Sequence, residues 1–251
     1  MKKPRQSDPT RIVLYGLHPV WETIKAGRRR VDRVYVAQGS AAGKRISAEL
    51  HATGIEVVRA SSEEIAELAG SPYHQGIAAA VGPFRYAELE HVLDSDRTAK
   101  EPVVLLDEVQ DPGNLGSILR TGECLGVRAV VLTRDRSVAV TPAVEKASAG
   151  ASAHVPVVRV TNMVRTLEEL KKAGYWIYSA EARASRSCFL EDLSGPVAFV
   201  VGSEGKGVRR LVREHCDIGI SIPMKGRIDS LNVAQAVTVL LAEALRQRGA
   251  S

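Results

Sequence analysis

The sequence predicts an α/β protein made of a small N-terminal unit and a larger C-terminal unit with a parallel sheet. Three observations lead there. Short apolar runs such as Val103–Leu106, Ala129–Leu132 and Val197–Val201 alternate with amphipathic helical stretches, the pattern of strands covered on both faces. Two strand ends late in the chain open into glycine-bearing loops, Gly202-Ser203-Glu204-Gly205-Lys206-Gly207 and Pro223 to Asn232. A polar stretch at 83–101 separates the two patterned regions and reads as an interdomain linker.

Residues 1–10 are polar and basic and are expected to form a disordered tail. The first unit is expected over 11–82. Pro19–Ala26 reads as a short helix with Pro19 in its first turn. Val31–Ala37 alternates like a half-buried strand. Lys44–Ala52 is amphipathic and Gly54 closes it. Ile55–Val58 is a strand, and Ser61 with Glu64 forms a capping box for a helix through Leu68. Gly76–Val81 is a last apolar strand, and the linker at 83–101 carries a candidate helix over Tyr86–Leu93.

The second unit is expected over 102–251. Its strands are Val103–Leu106, Ala129–Leu132, Val155–Val160, Trp176–Ser179, Val197–Val201 and Ile218–Ile222. Helices are expected near Asn114–Leu125, Pro142–Ala149, Met163–Ala173, Val208–His215 and Leu231–Arg246. Thr141 is a candidate N-cap ahead of Pro142, and Ser230 one for the last helix. That helix is apolar on most faces, so it must be buried in the core or between subunits.

Composition narrows the function. The chain has 251 residues, 45% apolar and 25% charged, as in ordinary globular proteins. No run approaches the length of a membrane span, and no apolar signal segment follows the basic start. Its three cysteines fit no zinc pattern, so a reduced cytoplasmic protein without a metal is expected. Charge is uneven: residues 1–46 carry eleven Lys/Arg against three acids, leaving −3 of the net +5 for the rest. Arg28, Arg29, Arg30, Lys44 and Arg45 are the candidate contacts to a polyanion such as RNA.

Three segments carry the chemistry. Asp107 to Arg120 follows a strand and enters a helix, with Asn114 near its start and Arg120 about two turns on. It lacks the GxGxxG of a dinucleotide fold, and the later glycine loop lacks the Lys-Ser/Thr of a P-loop. Glu204 suits that loop to holding a cation or hydroxyl better than a phosphate. The third segment is Ile222-Pro223-Met224 through Ser230-Leu231-Asn232. No nucleophile–base pair is present, which suggests a site that orients a reactive cofactor.

Together, in this order and spacing, the three segments resemble the signature motifs of the SpoU branch of the SPOUT RNA methyltransferases. Tyr15-Gly16-Leu17-His18-Pro19-Val20 and His74-Gln75-Gly76-Ile77 resemble the substrate-binding domain of many members, which is similar to the L30e/L7Ae fold. The resemblance covers about 11–248, and the nearest subgroup 2'-O-methylates a guanosine of 23S rRNA. It implies a C-terminal domain with a deep trefoil knot, S-adenosylmethionine as cofactor, structured RNA as partner, and a homodimer with the site at its interface. It further implies Asn114, Arg120, Glu204, Ser230 and Asn232 at the reaction site, and Gly202, Ile222, Met224 and Leu231 around the cofactor. Other substrates within the same chemistry are tRNA or the rRNA site of an antibiotic-resistance methylase. A non-catalytic RNA-binding assembly factor is the alternative of another class, weighed against by the complete set of reaction-site residues.

Overall fold

The computed structural model describes residues 12–40, 50, 53–94 and 101–249. The expected helix over Lys44–Ala52, and with it Lys44 and Arg45, lies outside the described residues apart from helical Leu50. The chain divides into two compact units: Met1–Arg85 with Val140–His154, and Tyr86–Ala139 with Val155–Ser251.

The first unit contains β1 (Ile12–Tyr15), α1 (Leu17–Ala26), β2 (Val31–Ala37), β3 (Glu56–Ala60), α2 (Ser62–Ala69) and β4 (Ile77–Val81). The sheet order is β1-β4-β2-β3. β4 runs antiparallel to β1 and β2, and β2 runs parallel to β3. As an inner strand β4 is buried throughout, which its sequence Ile-Ala-Ala-Ala-Val permits. One face packs Leu14, Val20, Val34, Val36, Leu50 and Ile77 together. The other packs Ala60, Ile65 and Ala78 beside Tyr35. The capping box of α2 forms as expected: Ser61 Oγ accepts from Glu64 N at 3.1 Å, and Glu64 Oε2 accepts from Ser61 N at 2.7 Å.

The second unit carries α3 (Leu89–Asp94), β5 (Val103–Asp107), α4 (Pro112–Leu125), β6 (Ala129–Thr133), β7 (Val157–Val160), α6 (Met163–Lys172), β8 (Trp176–Ala180), β9 (Arg186–Ser187), β10 (Val197–Gly202), α7 (Arg210–Glu214), β11 (Ile218–Ser221) and α8 (Val233–Gln247). α5 (Pro142–Ala147) belongs to the first unit. The seven strands are ordered β7-β6-β5-β10-β8-β11-β9 and every pairing is parallel. β5 and β6 are wholly buried, as their apolar runs Val103–Leu106 and Ala129–Leu132 require, with Asp107 and Thr133 buried at their ends. From β5 the chain first builds outward through β6 and β7, then returns to the other side of β5. That reversal opens a crevice at the carboxyl ends of the central strands. β9 is a two-residue edge strand, too short to leave a pattern in the sequence.

Two boundaries differ from the sequence expectation. Val140–His154 lies inside the stretch expected to be one C-terminal unit, yet it packs with the N-terminal unit. Arg29 Nη1 reaches Glu145 Oε1 and Oε2 at 2.9 and 3.0 Å, with the two side chains only 7% and 3% exposed. Lys146 Nζ donates to Gln75 Oε1 at 2.7 Å, and His154 Nε2 lies 2.9 Å from Glu22 Oε2. Gly150 sits at φ +88°, where an added Cβ would come within 2.8 Å of the His18 carbonyl oxygen. In the other direction, Tyr86–Asp94 falls within the expected linker but groups with the second unit, where Leu89 and Val92 join the core. Pattern reading finds elements along the chain; it does not see which core they bury into.

Candidate active site

The site is built at the carboxyl ends of β5, β10, β8 and β11. Asp107, the last residue of β5, lies beside Gly202, the last of β10. After β5 the chain turns into α4, whose N-cap is Asp111: its Oδ1 accepts from Asn114 N at 2.7 Å, with Pro112 in the first turn. Asn114 is therefore not the cap, and its side chain is free for other partners. At the far side, the N-cap of α8 is Asn232, whose Oδ1 accepts from Ala234 N at 2.9 Å. This corrects the expectation for Ser230. Ser230 sits two residues ahead, in the exposed loop, and Asn232, directly before Val233, is the residue whose side-chain oxygen reaches the free amides.

These caps place three side chains against one another. Asn114 Nδ2 donates to Glu204 Oε1 at 2.9 Å. Asn232 Nδ2 donates to the same oxygen at 2.8 Å and to Asn114 Oδ1 at 2.8 Å. The triangle ties the start of α4, the loop after β10 and the start of α8. Both amides spend donors on one carboxylate, so Glu204 is held as an acceptor.

The glycine loop explains its own composition. A Cβ on Gly202 would lie 1.9 Å from the Gly207 carbonyl carbon and 2.2 Å from Val208 N, so only glycine lets the returning backbone pass. Gly205 and Gly207 take φ +82° and +66°, and Gly207 N closes the loop onto Ser203 O at 2.9 Å. Two residues the sequence reasoning missed hold the loop's exit. Asp107 is fully buried and accepts from Arg209 N and Nε at 2.8 Å each and from Arg209 Nη2 at 2.6 Å. Those hydrogen bonds raise the Arg209 guanidinium further above its ordinary value. An acid ending an otherwise apolar strand was the available signal.

Between these loops lies a cavity of about 870 Å³. Gly202, Glu204, Ile222, Met224, Ser230, Leu231 and Asn232 all line it, which gathers all but two of the residues named for this site from sequence. Val201, Ile220, Val233 and Leu240 add apolar wall, and Glu181, Arg183, Lys206, Arg213 and Asp229 add charge. The remaining two are Asn114, which reaches the cavity through Glu204 and Asn232, and Arg120. Arg120 is exposed on α4 and, among the described residues, neither lines the cavity nor pairs with another group. Among the described residues no group of three or more His, Cys, Asp or Glu side chains could hold a metal ion, and no helix is long and apolar enough to cross a membrane.

The basic residues of the first unit separate. Arg29 is buried against Glu145 and donates through Nε to the Gly82 carbonyl at 2.6 Å, so its charge is spent inside the fold rather than offered to a polyanion. Burial pushes the Glu145 carboxyl up against the opposing pull of Arg29. Arg28 is exposed and donates to the His154 carbonyl at 2.9 Å, while Arg30 is exposed beside Asp32 at 2.8 Å.

Comparison with known proteins agrees with this geometry. The profile of the SpoU rRNA methylase family matches residues 101–242, and that of the RNA 2'-O ribose methyltransferase substrate-binding domain matches 13–87. The chain is 41% identical over 240 residues to the 23S rRNA (guanosine-2'-O-)-methyltransferase RlmB of Xylella fastidiosa, covering 94% of this chain and 96% of that protein. It is 40% identical over 243 residues to a Staphylococcus haemolyticus relative assigned to the TrmH family of tRNA/rRNA methyltransferases, with 94% and 96% covered. The SpoU methyltransferase AviRb of Streptomyces viridochromogenes, solved with S-adenosylmethionine, shares the fold at a TM-score of 0.81 and 23% identity, with 99% of this chain and 94% of that chain covered. With the motif residues gathered at one cavity and both profiles matched, the chain belongs to the SpoU family of RNA 2'-O-ribose methyltransferases, which draw their methyl group from S-adenosylmethionine.

Proposed function

We propose that the chain methylates the 2'-hydroxyl of a guanosine in 23S rRNA, working as a cytoplasmic homodimer. The observation that carries the reaction is the Asn114–Glu204–Asn232 triangle, two of whose members line the cavity. The substrate reading is supported by the RlmB relatives, which cover nearly the whole chain.

The residues present fit the cofactor. The cavity is of small-molecule size and combines apolar wall with fixed polar and charged groups. Gly202 lets backbone close tightly at one wall, and Ile222, Met224 and Leu231 supply apolar contact at another. When bound there, S-adenosylmethionine supplies an activated methyl and a neutral leaving group, so the protein's task is alignment and charge. Glu204, held by two amides, fixes the loop that floors the site. Ser230 and Asn232 orient groups at its edge.

Arg120 would act on the attacking hydroxyl. A guanidinium with a pKa above about 12 has no lone pair to offer while charged. It therefore orients the hydroxyl and stabilises the alkoxide charge that develops on it. Its position on α4, outside the cavity of its own chain, supports a composite site in which the partner subunit provides this arginine. Exposed Leu190, Leu211 and Ile228 support a subunit contact, whereas most apolar residues of α8, Val233 and Ala234 at its start included, are buried within the chain itself. The family's knot is supported by β10 lying between β5 and β8 and by backbone crossing tightly at Gly202. The first unit would hold RNA backbone through Arg28 and Arg30, with Lys44 and Arg45 beyond the described residues.

The test is mapping of ribose methylation in rRNA and tRNA from cells with and without the gene. Loss of one 23S guanosine methyl group is expected; loss confined to tRNA would replace the substrate. Arg120→Ala is expected to keep S-adenosylhomocysteine affinity and lose about a hundredfold or more in transfer, the scale of one transition-state charge contact. Near-normal turnover would remove Arg120 from the reaction.

A further inference from the structure

Glu181 is a cavity carboxylate that the transfer chemistry does not use. It follows β8 directly, and its backbone N donates to Ile220 O on β11 at 2.8 Å. Its side chain is 27% exposed. Oε1 accepts from the hydroxyl of buried Ser179 at 2.5 Å, and Oε2 lies 3.8 Å from Arg213 Nη1. Space for it depends on β11 being bare at Gly219, where an added Cβ would stand 2.7 Å from Oε1. Three features therefore hold one carboxylate at the cavity wall: a hydroxyl below it, a cation beside it and a missing side chain opposite. The other acids of the cavity are differently engaged. Glu204 is tied to Asn114 and Asn232, and Asp229 is 81% exposed opposite Arg183 at 3.9 Å.

We propose that Glu181 accepts a hydrogen bond from a hydroxyl of the cofactor's adenosyl ribose. A carboxylate has about four acceptor positions on its two oxygens. Ser179 takes one and the long contact to Arg213 at most another, so acceptor capacity remains toward the cavity. The ribose of S-adenosylmethionine brings two neighbouring hydroxyl donors. An acid at the end of a strand beside the cofactor crevice of a parallel sheet is the arrangement that takes such hydroxyls in dinucleotide folds. The inference rests on the family's cofactor occupying this cavity.

The experiment is calorimetry on the full chain with S-adenosylhomocysteine and its 2',3'-dideoxy analogue. Wild type, Glu181→Ala and Gly219→Ala are compared. Gly219→Ala leaves the carboxylate's chemistry intact and moves it, since the obstructing atom is the end of a flexible side chain. Both variants should bind S-adenosylhomocysteine about tenfold more weakly, the worth of one charge-assisted hydrogen bond. The preference of wild type for the hydroxylated ligand over the dideoxy one should disappear in both. Unchanged affinity, or equal weakening for both ligands, would overturn the proposal. No binding of S-adenosylhomocysteine by wild type would instead remove the cofactor from this cavity altogether.

Discussion

Breaking the Asp107–Arg209 clamp should loosen the site through a measurable coupling energy. Asp107→Asn keeps the side chain's size but replaces one acceptor oxygen with a donor facing Arg209. The carboxylate is fully buried and receives three hydrogen bonds from one residue at 2.6–2.8 Å. Breaking a buried ion pair costs about 3–5 kcal/mol. Arg209 is 43% exposed and can turn to water, which lowers the figure to about 2–3 kcal/mol. Arg209→Gln leaves Asp107 buried with a single backbone donor and should cost a similar amount. Combined, the two should cost clearly less than their sum, with a coupling of about 1–2 kcal/mol. The assay is urea unfolding followed by Trp176, which lies in the second unit, in a Trp21→Phe background that silences the first. Following one unit at a time avoids treating a two-unit chain as a single transition. If the two substitutions add to within about 0.3–0.5 kcal/mol, the clamp is not an energetic unit and its control of the glycine loop fails.

Gly202→Ala should weaken S-adenosylhomocysteine binding at least about tenfold, because overpacking against backbone costs about 1–3 kcal/mol and displaces the loop; calorimetry reads this, and wild-type affinity would contradict it. Arg29→Met should destabilise the first unit by about 3–5 kcal/mol by leaving Glu145 buried without its cation, read by urea unfolding followed by Trp21 with Trp176→Phe. The folded-state value of Glu145 already lies above the ordinary carboxylate value, so its protonated form favours the fold. The loss in Arg29→Met should therefore be greatest at neutral pH and shrink as pH falls through that raised value. In the same variant the salt dependence of RNA affinity should be unchanged, whereas Arg30→Ala should reduce its slope by about one phosphate contact; a reduced slope in Arg29→Met would return that residue to the RNA surface.

Sequence alone determined most of the described strands and helices, though not the two-residue β9, together with the parallel character of the larger sheet and the glycine loops. Each of these is written in short-range terms. An unbroken run such as Val103–Leu106 has no polar face to show water, and a loop such as Gly202–Gly207 has one residue type that tolerates its backbone. Most of the motif residues sit at strand ends, helix starts or the loops between them, where local pattern can point to them; Arg120, about two turns into α4, does not line the cavity. Tertiary structure alone decided which atoms meet. It gave the α8 cap to Asn232 rather than Ser230 and joined Asn114 to Glu204 across 90 residues of chain. It drew Val140–His154 into the first unit and turned Arg29 from a surface cation into half of a buried ion pair with Glu145. Charge and polarity in a sequence state what a side chain can offer; the path of the distant backbone decides whether water, RNA or a buried partner receives it.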